Sequence, residues 1–488
     1  MNSKGHVIKI EPVTRLEGEA KITIVLGEDG RVKNAYFQVM DYRGFEKFLV
    51  GRQAEEVPRI AERICGVCSW AHHMAAVKAV ERIFGREPPQ PARKLRELSY
   101  CAHIIHSHLL HFFIFASPDL FLSPDEDPSV RNFIGLLKKH PELMKRALKW
   151  HTEAEMIQEV IGGKAIHPVF TIPGGVSKPL SEGERSKILE KTRGILNFSL
   201  DALSFFKRRV VENEKYRELF YGDLYRLETY YMGLVDGKNQ VNFYDGQIRV
   251  VDPEGAENAM FDCSSYLEYI AEKVEPWTYT KFPYLKKVGW KGLTDGKGSG
   301  VYRVNSLPRL NVSEGMPTPM AQEAYEEFVE KLGMPAHATL GFHWARLIEV
   351  VYCAERMIEL LEDPDITSKD IVCYNGEYRG EGVGAVEAPR GTLIHHYKAD
   401  EKGVITECNL IVPTTMNNAA ICIEIKNTAS KLISGGEISE GILNRVEMAF
   451  RAYDPCLSCS THSLPGEMPL EVLIVREDGK VVRRLRRC

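Results

Sequence analysis

Arg63-Ile64-Cys65-Gly66-Val67-Cys68-Ser69-Trp70-Ala71-His72 and Asp454-Pro455-Cys456-Leu457-Ser458-Cys459-Ser460-Thr461-His462 are the two stretches on which the fold turns. Each holds a Cys-x-x-Cys pair, and two cysteines three apart, on a turn or at a helix end, can point both sulfurs at one ion. A metal lowers the thiol pKa far below its free value of about 8.5, so all four would bind as thiolates. Soft thiolates suit nickel, iron, zinc or copper(I) rather than magnesium or calcium. A structural zinc site usually draws its four cysteines from one short stretch. Here the pairs lie near opposite ends of the chain, so one ion would clamp those ends together in the protein's middle. Spacing alone leaves structural zinc and a redox metal equally open, with a disulfide reading behind both.

Outward from these pairs the chain is ordinary in composition. It has 488 residues, 44% hydrophobic and 27% charged, as expected of a soluble globular protein. A formal charge of −4 gives no reason to propose nucleic acid or an anionic membrane as partner. The start, Met1-Asn2-Ser3-Lys4-Gly5-His6, shows no signal-peptide pattern. The most apolar helical stretch, around Leu109 to Leu122, is interrupted by His111, Ser117, Pro118 and Asp119, so no membrane span is expected. Eleven cysteines, an odd and thinly spread set, fit a reducing, cytoplasmic setting better than a disulfide framework.

Residues 7–12 and 21–40 alternate apolar and polar positions, with a hairpin turn at Asp29-Gly30. Helical spacing takes over from about 53 to 120, and Gly85 stops one helix there. Helices are expected over 90–120, 130–162 and 182–218, the last opened by a Ser181/Glu184 capping box. The texture over 229–313 is strand and loop. Helices return at 319–332 and 339–362, strands around 371–412, and a helix near 437–452. A last hairpin is expected over 470–482. Without repeats, low-complexity linkers or a clear boundary, the expected architecture is α+β: a single large, mainly helical domain over 1–488, with a central helix bundle and peripheral β-hairpins and sheet.

R-x-C-G-x-C-x-x-x-H paired with D-P-C-x-x-C-x-x-H resembles the signature of [NiFe] hydrogenase large subunits. Arg15-Leu16-Glu17-Gly18, Arg43-Gly44-Phe45-Glu46, Ala388-Pro389-Arg390-Gly391 and Val412-Pro413-Thr414-Thr415 follow in the family's order, so the resemblance runs from about residue 8 to 485. It implies reversible cleavage of dihydrogen at a nickel–iron centre whose iron carries carbon monoxide and two cyanides. Cys68 and Cys459 would bridge the metals, with Cys65 and Cys456 terminal on nickel. Cys456 would take the proton and Glu17 pass it on, since a carboxyl shielded beside a metal site can shuttle protons.

Arg390 would lie over the open face of the metal pair, held by Asp119 and Asp454, with its rigid planar donors turned to the iron's ligands. Thr414, beside Pro413, would contact a cyanide, and His72 would support the sulfur of Cys68. Glu46 and His462 match ligands of a separate divalent ion, usually magnesium. His103, His106, His108 and His111, like His395-His396, read as packed or supporting histidines rather than a further metal site. Cys101, Cys263, Cys353, Cys373, Cys408 and Cys422 read as small core residues.

In the family, a maturation protease removes the segment that follows the last histidine once nickel is inserted, so 463–488 reads as such an extension. Nickel-insertion factors would act before it. No cysteine run is left for iron–sulfur wiring, so electrons would leave through the family's iron–sulfur small subunit. Beyond it the texture resembles the cytoplasmic viologen-reducing branch that works with heterodisulfide reductase and does not use deazaflavin, with the NAD-reducing enzymes as the alternative. Complex I-type relatives, which have lost the nickel cysteines, and a structural zinc protein are the rivals of another class.

Overall fold

The computed structural model describes residues 7–433 and 438–462, together with the strands Leu470–Val475 and Val481–Arg487. Three strands come first, β1 Val7–Ile10, β2 Ala20–Leu26 and β3 Val32–Val39, paired antiparallel in that order. Their alternation buries Ile22, Ile24, Ala35, Phe37 and Val39, the pattern of a sheet with one wet face.

The core is helical, as the sequence predicts. Helix α1, Ser69–Phe84, starts directly after Cys68 and ends at Gly85 in the left-handed conformation, φ 62°. Helix α2, Gln90–Leu110, packs between α3, Pro141–Gly162, and α5, Gly341–Glu362; α5 also packs on α4, Glu182–Phe206. The Ser181/Glu184 capping box opens α4 as expected. The expected helix over 130–162 is two, Phe133–Lys139 and Pro141–Gly162, because the residue before a proline resists helical backbone and His140 adopts φ −132°. The stretch Gln90–Phe121 is long and apolar enough to cross a membrane, yet 78% of its apolar window is buried inside the fold.

Strands β4 Glu381–Ala388, β5 Gly391–Ala399 and β6 Ile405–Ile411 form an antiparallel sheet laid on α1. The approach is close enough to require glycine. A Cβ on Gly382 would stand 2.0 Å from the Ala79 carbonyl oxygen, and one on Gly384 2.3 Å from that of Ala75. This contact fixes the helix that carries the first cysteine pair against the strands that carry Arg390.

A helix that the sequence did not predict follows, α6 Pro413–Leu432. Asn417, Asn418, Glu424 and Thr428 are buried along with its apolar side chains. From Pro413 to Ile425 the helix is enclosed on every side and shows no polar stripe, which hides its 3.6-residue period. Helix α7, Glu440–Arg451, packs on α6 and delivers the second cysteine pair. The hairpin expected near the C-terminus pairs Leu470–Val475 with Val481–Arg487; the remaining residues of 463–488 lie outside those described.

Candidate metal centre

The two ends of the chain meet through the backbone. Glu17 bridges Cys456 in parallel register, with the Leu457 N–H donating to the Glu17 carbonyl at 3.0 Å. The Gly44 N–H donates to the Thr461 carbonyl at 3.0 Å and the Glu46 N–H to the His462 carbonyl at 2.9 Å. Opposite ends therefore converge on one point before any ion is considered.

There Cys65, Cys68, Cys456 and Cys459 lie together, 1, 5, 0 and 2% exposed. Sγ separations are 3.2 Å for Cys65–Cys456, 3.0 Å for Cys68–Cys459 and 2.9 Å for Cys456–Cys459. Each is far beyond a disulfide's ~2.05 Å, and all four are free thiols. Hydrogen bonds from Cys456, Cys459 and Cys68 hold the Cys65 thiol well below the ordinary thiol range. The Val67 and Cys68 N–H groups donate to the same sulfur. Burial pushes Cys456 and Cys459 well above that range, so a positive charge is needed to ionise the whole set.

A narrow cavity opens on these sulfurs, lined by Cys68, His72, Arg390, Pro413, Thr414 and Cys456 among others. Arg390 stands at the tight turn between β4 and β5. Gly391 makes that turn with φ 127°, and a Cβ there would meet Val304 at 2.4 Å. Arg390 Nε donates to the Asp454 carbonyl at 2.6 Å and one terminal nitrogen to Asp454 Oδ1 at 3.0 Å. The other terminal nitrogen is buried with no partner. Burial outweighs the neighbouring Arg390 and Arg346 and raises Asp454 to about 6.

The turn itself is braced by Arg309, which donates to Glu349 at 2.6 and 2.7 Å, to Glu387 at 2.9 Å, and to the Ala388 and Pro389 carbonyls. Sequence reasoning missed this buried cluster; ion pairing between residues 40 and 78 apart leaves no local signal.

Two expectations are corrected. Asp119 does not bond Arg390; it accepts from Arg15 at 2.6 Å and Arg451 at 3.0 Å. The π-helical turn His111–Ala116 precedes it and sets it facing the N-terminal segment and α7 instead. His72 supports Cys459 rather than Cys68, with Nε2 3.4 Å from the Cys459 sulfur. It lies one helical turn beyond Cys68, whose carbonyl its backbone N–H already bonds, so its ring reaches across to the facing pair. Nδ1 of His72 meets His395 at 3.0 Å, and His395 meets the Tyr397 hydroxyl at 2.6 Å, a bracing the sequence did not reveal.

Glu17 and Thr414 lie beside the sulfurs. Cys456 donates its thiol to Glu17 Oε2 at 3.1 Å, and the Ser458 N–H and hydroxyl both donate to that carboxylate. Thr414 Oγ1 accepts the Cys456 N–H at 3.0 Å. Glu46 and His462 form a separate group, with Oε1 3.7 Å from Nε2. Lys281 and Glu272, which the sequence did not single out, complete it. His462 Nε2 and Glu272 Oε1 are buried without a partner, an arrangement of lone pairs that suits a cation.

Buried imidazoles give this chain a pH dependence. Burial lowers His72, His108 and His462 to about 4 and His103 and His343 to about 3, with His106, His111 and His395 well below the usual value. The unfolded chain takes up protons on them below about 6.5 and the folded chain does not, so stability present above that pH is lost as pH falls toward 4. Burial of Asp454 and of Glu424, raised to about 7, acts oppositely: their contribution is present at low pH and lost as pH rises through 4 to 7. Burial also raises Glu46, Glu272 and Glu387, and the eight imidazoles still outnumber these five carboxyls, each group worth up to about 1.4 kcal/mol per pH unit. The urea midpoint of the isolated chain should therefore fall steadily between pH 6.5 and 4; a flat midpoint would contradict the burial.

Four thiols gathered this closely, dry and unlinked, are the donor set of a soft transition metal, so fold and site together define a thiolate-bound metalloenzyme. The nickel-dependent hydrogenase family matches residues 43–121 and 254–462, and a HoxL-like family matches 7–42. The F420-non-reducing hydrogenase iron-sulfur subunit of Archaeoglobus profundus is 45% identical over 98% of this chain and 99% of its own. The vhc F420-non-reducing hydrogenase subunit of Methanococcus voltae is 43% identical over 98% and 99%. The solved structure of an NAD+-reducing [NiFe]-hydrogenase in its H2-reduced state superposes with a TM-score of 0.88 at 38% identity, covering 94% of this chain and 99% of that one. The chain belongs to the nickel-dependent hydrogenase family as its large, catalytic subunit, an oxidoreductase, and its cysteine quartet fits a nickel–iron site.

Proposed function

We propose that Cys65, Cys68, Cys456 and Cys459 hold a nickel–iron pair with carbon monoxide and cyanide on the iron, and that Glu17 carries the proton of dihydrogen away from Cys456. In this reading all four sulfurs would hold the pair, Cys65 and Cys68 from the start of one helix and Cys456 and Cys459 from the C-terminal turn that faces it. The observation that carries it is the 3.1 Å contact from the Cys456 thiol to Glu17 Oε2. When bound, the metal pair supplies the Lewis acidity that polarises dihydrogen toward proton and hydride.

The chain's own residues do the rest. Glu17 receives the thiol proton, and the Ser458 N–H and hydroxyl fix its carboxylate in the accepting position. Arg390 keeps its charge at every working pH, and its unpartnered terminal nitrogen supports a role in binding an iron-bound cyanide. Thr414 uses its oxygen to accept the Cys456 N–H, so its hydroxyl proton would be free to donate to a cyanide of the bound group, with Pro413 lining the same cavity. Glu46 and His462, with Glu272, take a magnesium-like ion that ties the C-terminal turn to the core; the unpartnered His462 Nε2 supports this. Cleavage after His462 by a maturation protease, following nickel insertion, then releases 463–488.

Electrons leave through an iron–sulfur small subunit, and onward to a heterodisulfide reductase in the cytoplasm. The F420-non-reducing relatives support an acceptor other than F420; the likeness to an NAD+-reducing enzyme favours an NAD-reducing module as the second reading. The test is Glu17→Gln in the assembled complex. Nickel and iron contents should stay at the parent's, while H2/D2 exchange with solvent falls by about a hundredfold, the size of a lost general acid–base group. Parental exchange would remove Glu17 from the proton path.

A further inference from the structure

The histidines of α2 do not act as one cluster. His108 Nε2 lies 2.7 Å from the Glu349 carboxylate, and His111 Nε2 donates to the Arg451 carbonyl at 2.8 Å, so both belong to the core. His106 is different. It leaves α2 on the side packed against α3, half-buried, and its ring lies 4.3 Å from that of His151 at 31°. Nδ1 of His106 and Nε2 of His151 are both buried and have no hydrogen-bond partner.

Glu155 follows His151 by four residues on α3, so the two side chains stand one above the other on the same helix face. One ring nitrogen from each histidine and a carboxylate oxygen of Glu155 all lie within 4.8 Å of one another. Among the described residues, no hydrogen bond or ion pair occupies that carboxylate. Two imidazoles, each with a buried nitrogen left without a partner, and a carboxylate gathered this closely make a coordination set for a cation.

We propose that His106, His151 and Glu155 bind a divalent first-row ion of the zinc class, at a site separate from the thiolate centre, and that this ion fastens α2 to α3. Zinc bonds of about 2.0–2.2 Å to imidazole nitrogen and carboxylate oxygen set ligand atoms about 3.4 Å apart in a tetrahedron, a closure that side-chain rotation supplies. Two imidazoles and one carboxylate are a borderline set, favouring zinc, cobalt(II) or nickel(II) over calcium or magnesium. The half-buried position leaves the fourth place to water. Burial also holds both imidazoles below their usual pKa, in the neutral form that ligates.

The test uses the purified multisubunit complex, first analysed for zinc as isolated, then treated with a chelator and titrated with Zn2+ alone by calorimetry. The proposal expects one zinc-class ion per chain, present on isolation or taken up saturably. Co2+ in its place should give the visible bands of a nitrogen–oxygen site, without thiolate charge transfer. His151→Ala and the isosteric Glu155→Gln should each weaken Zn2+ binding by more than about a hundredfold, beyond the loss of a mere supporting partner. Nickel and iron contents and dihydrogen oxidation should stay unchanged in both. Absence of zinc both on isolation and after titration overturns the site, as does binding in His151→Ala as tight as the parent's.

Discussion

Cys456→Ala should yield a folded chain that binds no nickel and oxidises no dihydrogen. Its sulfur stands 2.9 Å from Cys459, 3.2 Å from Cys65 and 3.1 Å from Glu17. No other side chain stands in all three places. Three thiols would remain, but the terminal thiolate beside Glu17, and with it the proton's first stop, would be gone. The fold should hold. The Cys456 N–H keeps its bond to Thr414, the backbone bridge to Glu17 does not use the side chain, and truncating one buried thiol costs about 1 kcal/mol.

The matched control is Cys422→Ala, an equally buried thiol on α6 whose contact is the Phe37 backbone. That variant should keep nickel and activity. Mass-spectrometric nickel and iron contents and a dihydrogen-uptake assay read both. Normal uptake in Cys456→Ala would refute the assignment of the centre, and equal loss in the control would show a general effect of core thiols.

The centre was legible because its chemistry is compressed into short segments. A Cys-x-x-Cys pair fixes its geometry within a few residues, so local spacing announces a thiolate site, while Arg390 and Thr414 are reached only through the resemblance of their short motifs to the family's. The N-terminal hairpin, Gly85 and the Ser181/Glu184 box were legible for the same reason. Contacts that the packing of distant elements decides were not. Asp119 could be aligned by position, but which of the buried arginines it would meet depends on how α7 packs, and it meets Arg15 and Arg451. The direction of the His72 ring depends on the angle at which α1 leaves Cys68. The Arg309–Glu349–Glu387 cluster joins three separate elements, so no local spacing announces it. Helix α6 hid for the opposite reason: burial on all faces from Pro413 to Ile425 erased the period that reveals a helix.

Arg390→Lys should lower dihydrogen oxidation by on the order of a hundredfold or more, as for loss of one preorganised donor, with nickel and iron still bound. The charge survives the change, so charge alone cannot be the argument; the fork is. Arg390 uses Nε and one terminal nitrogen to grip the carbonyl and the carboxylate of a single residue, Asp454. The grip leaves the third nitrogen with no partner in the protein. A lysine ammonium is one point on a flexible stem. Held by Asp454 it has no separate nitrogen to present to the cavity, and turned to the cavity it abandons Asp454. Buried Asp454, already raised to about 6, would then lose its main cationic partner and rise further. Metal content discriminates this from simple misfolding: the Lys variant should keep nickel and iron at the parent's level while its activity falls. Unchanged activity would show that neither the fork nor its hold on Asp454 matters to the reaction.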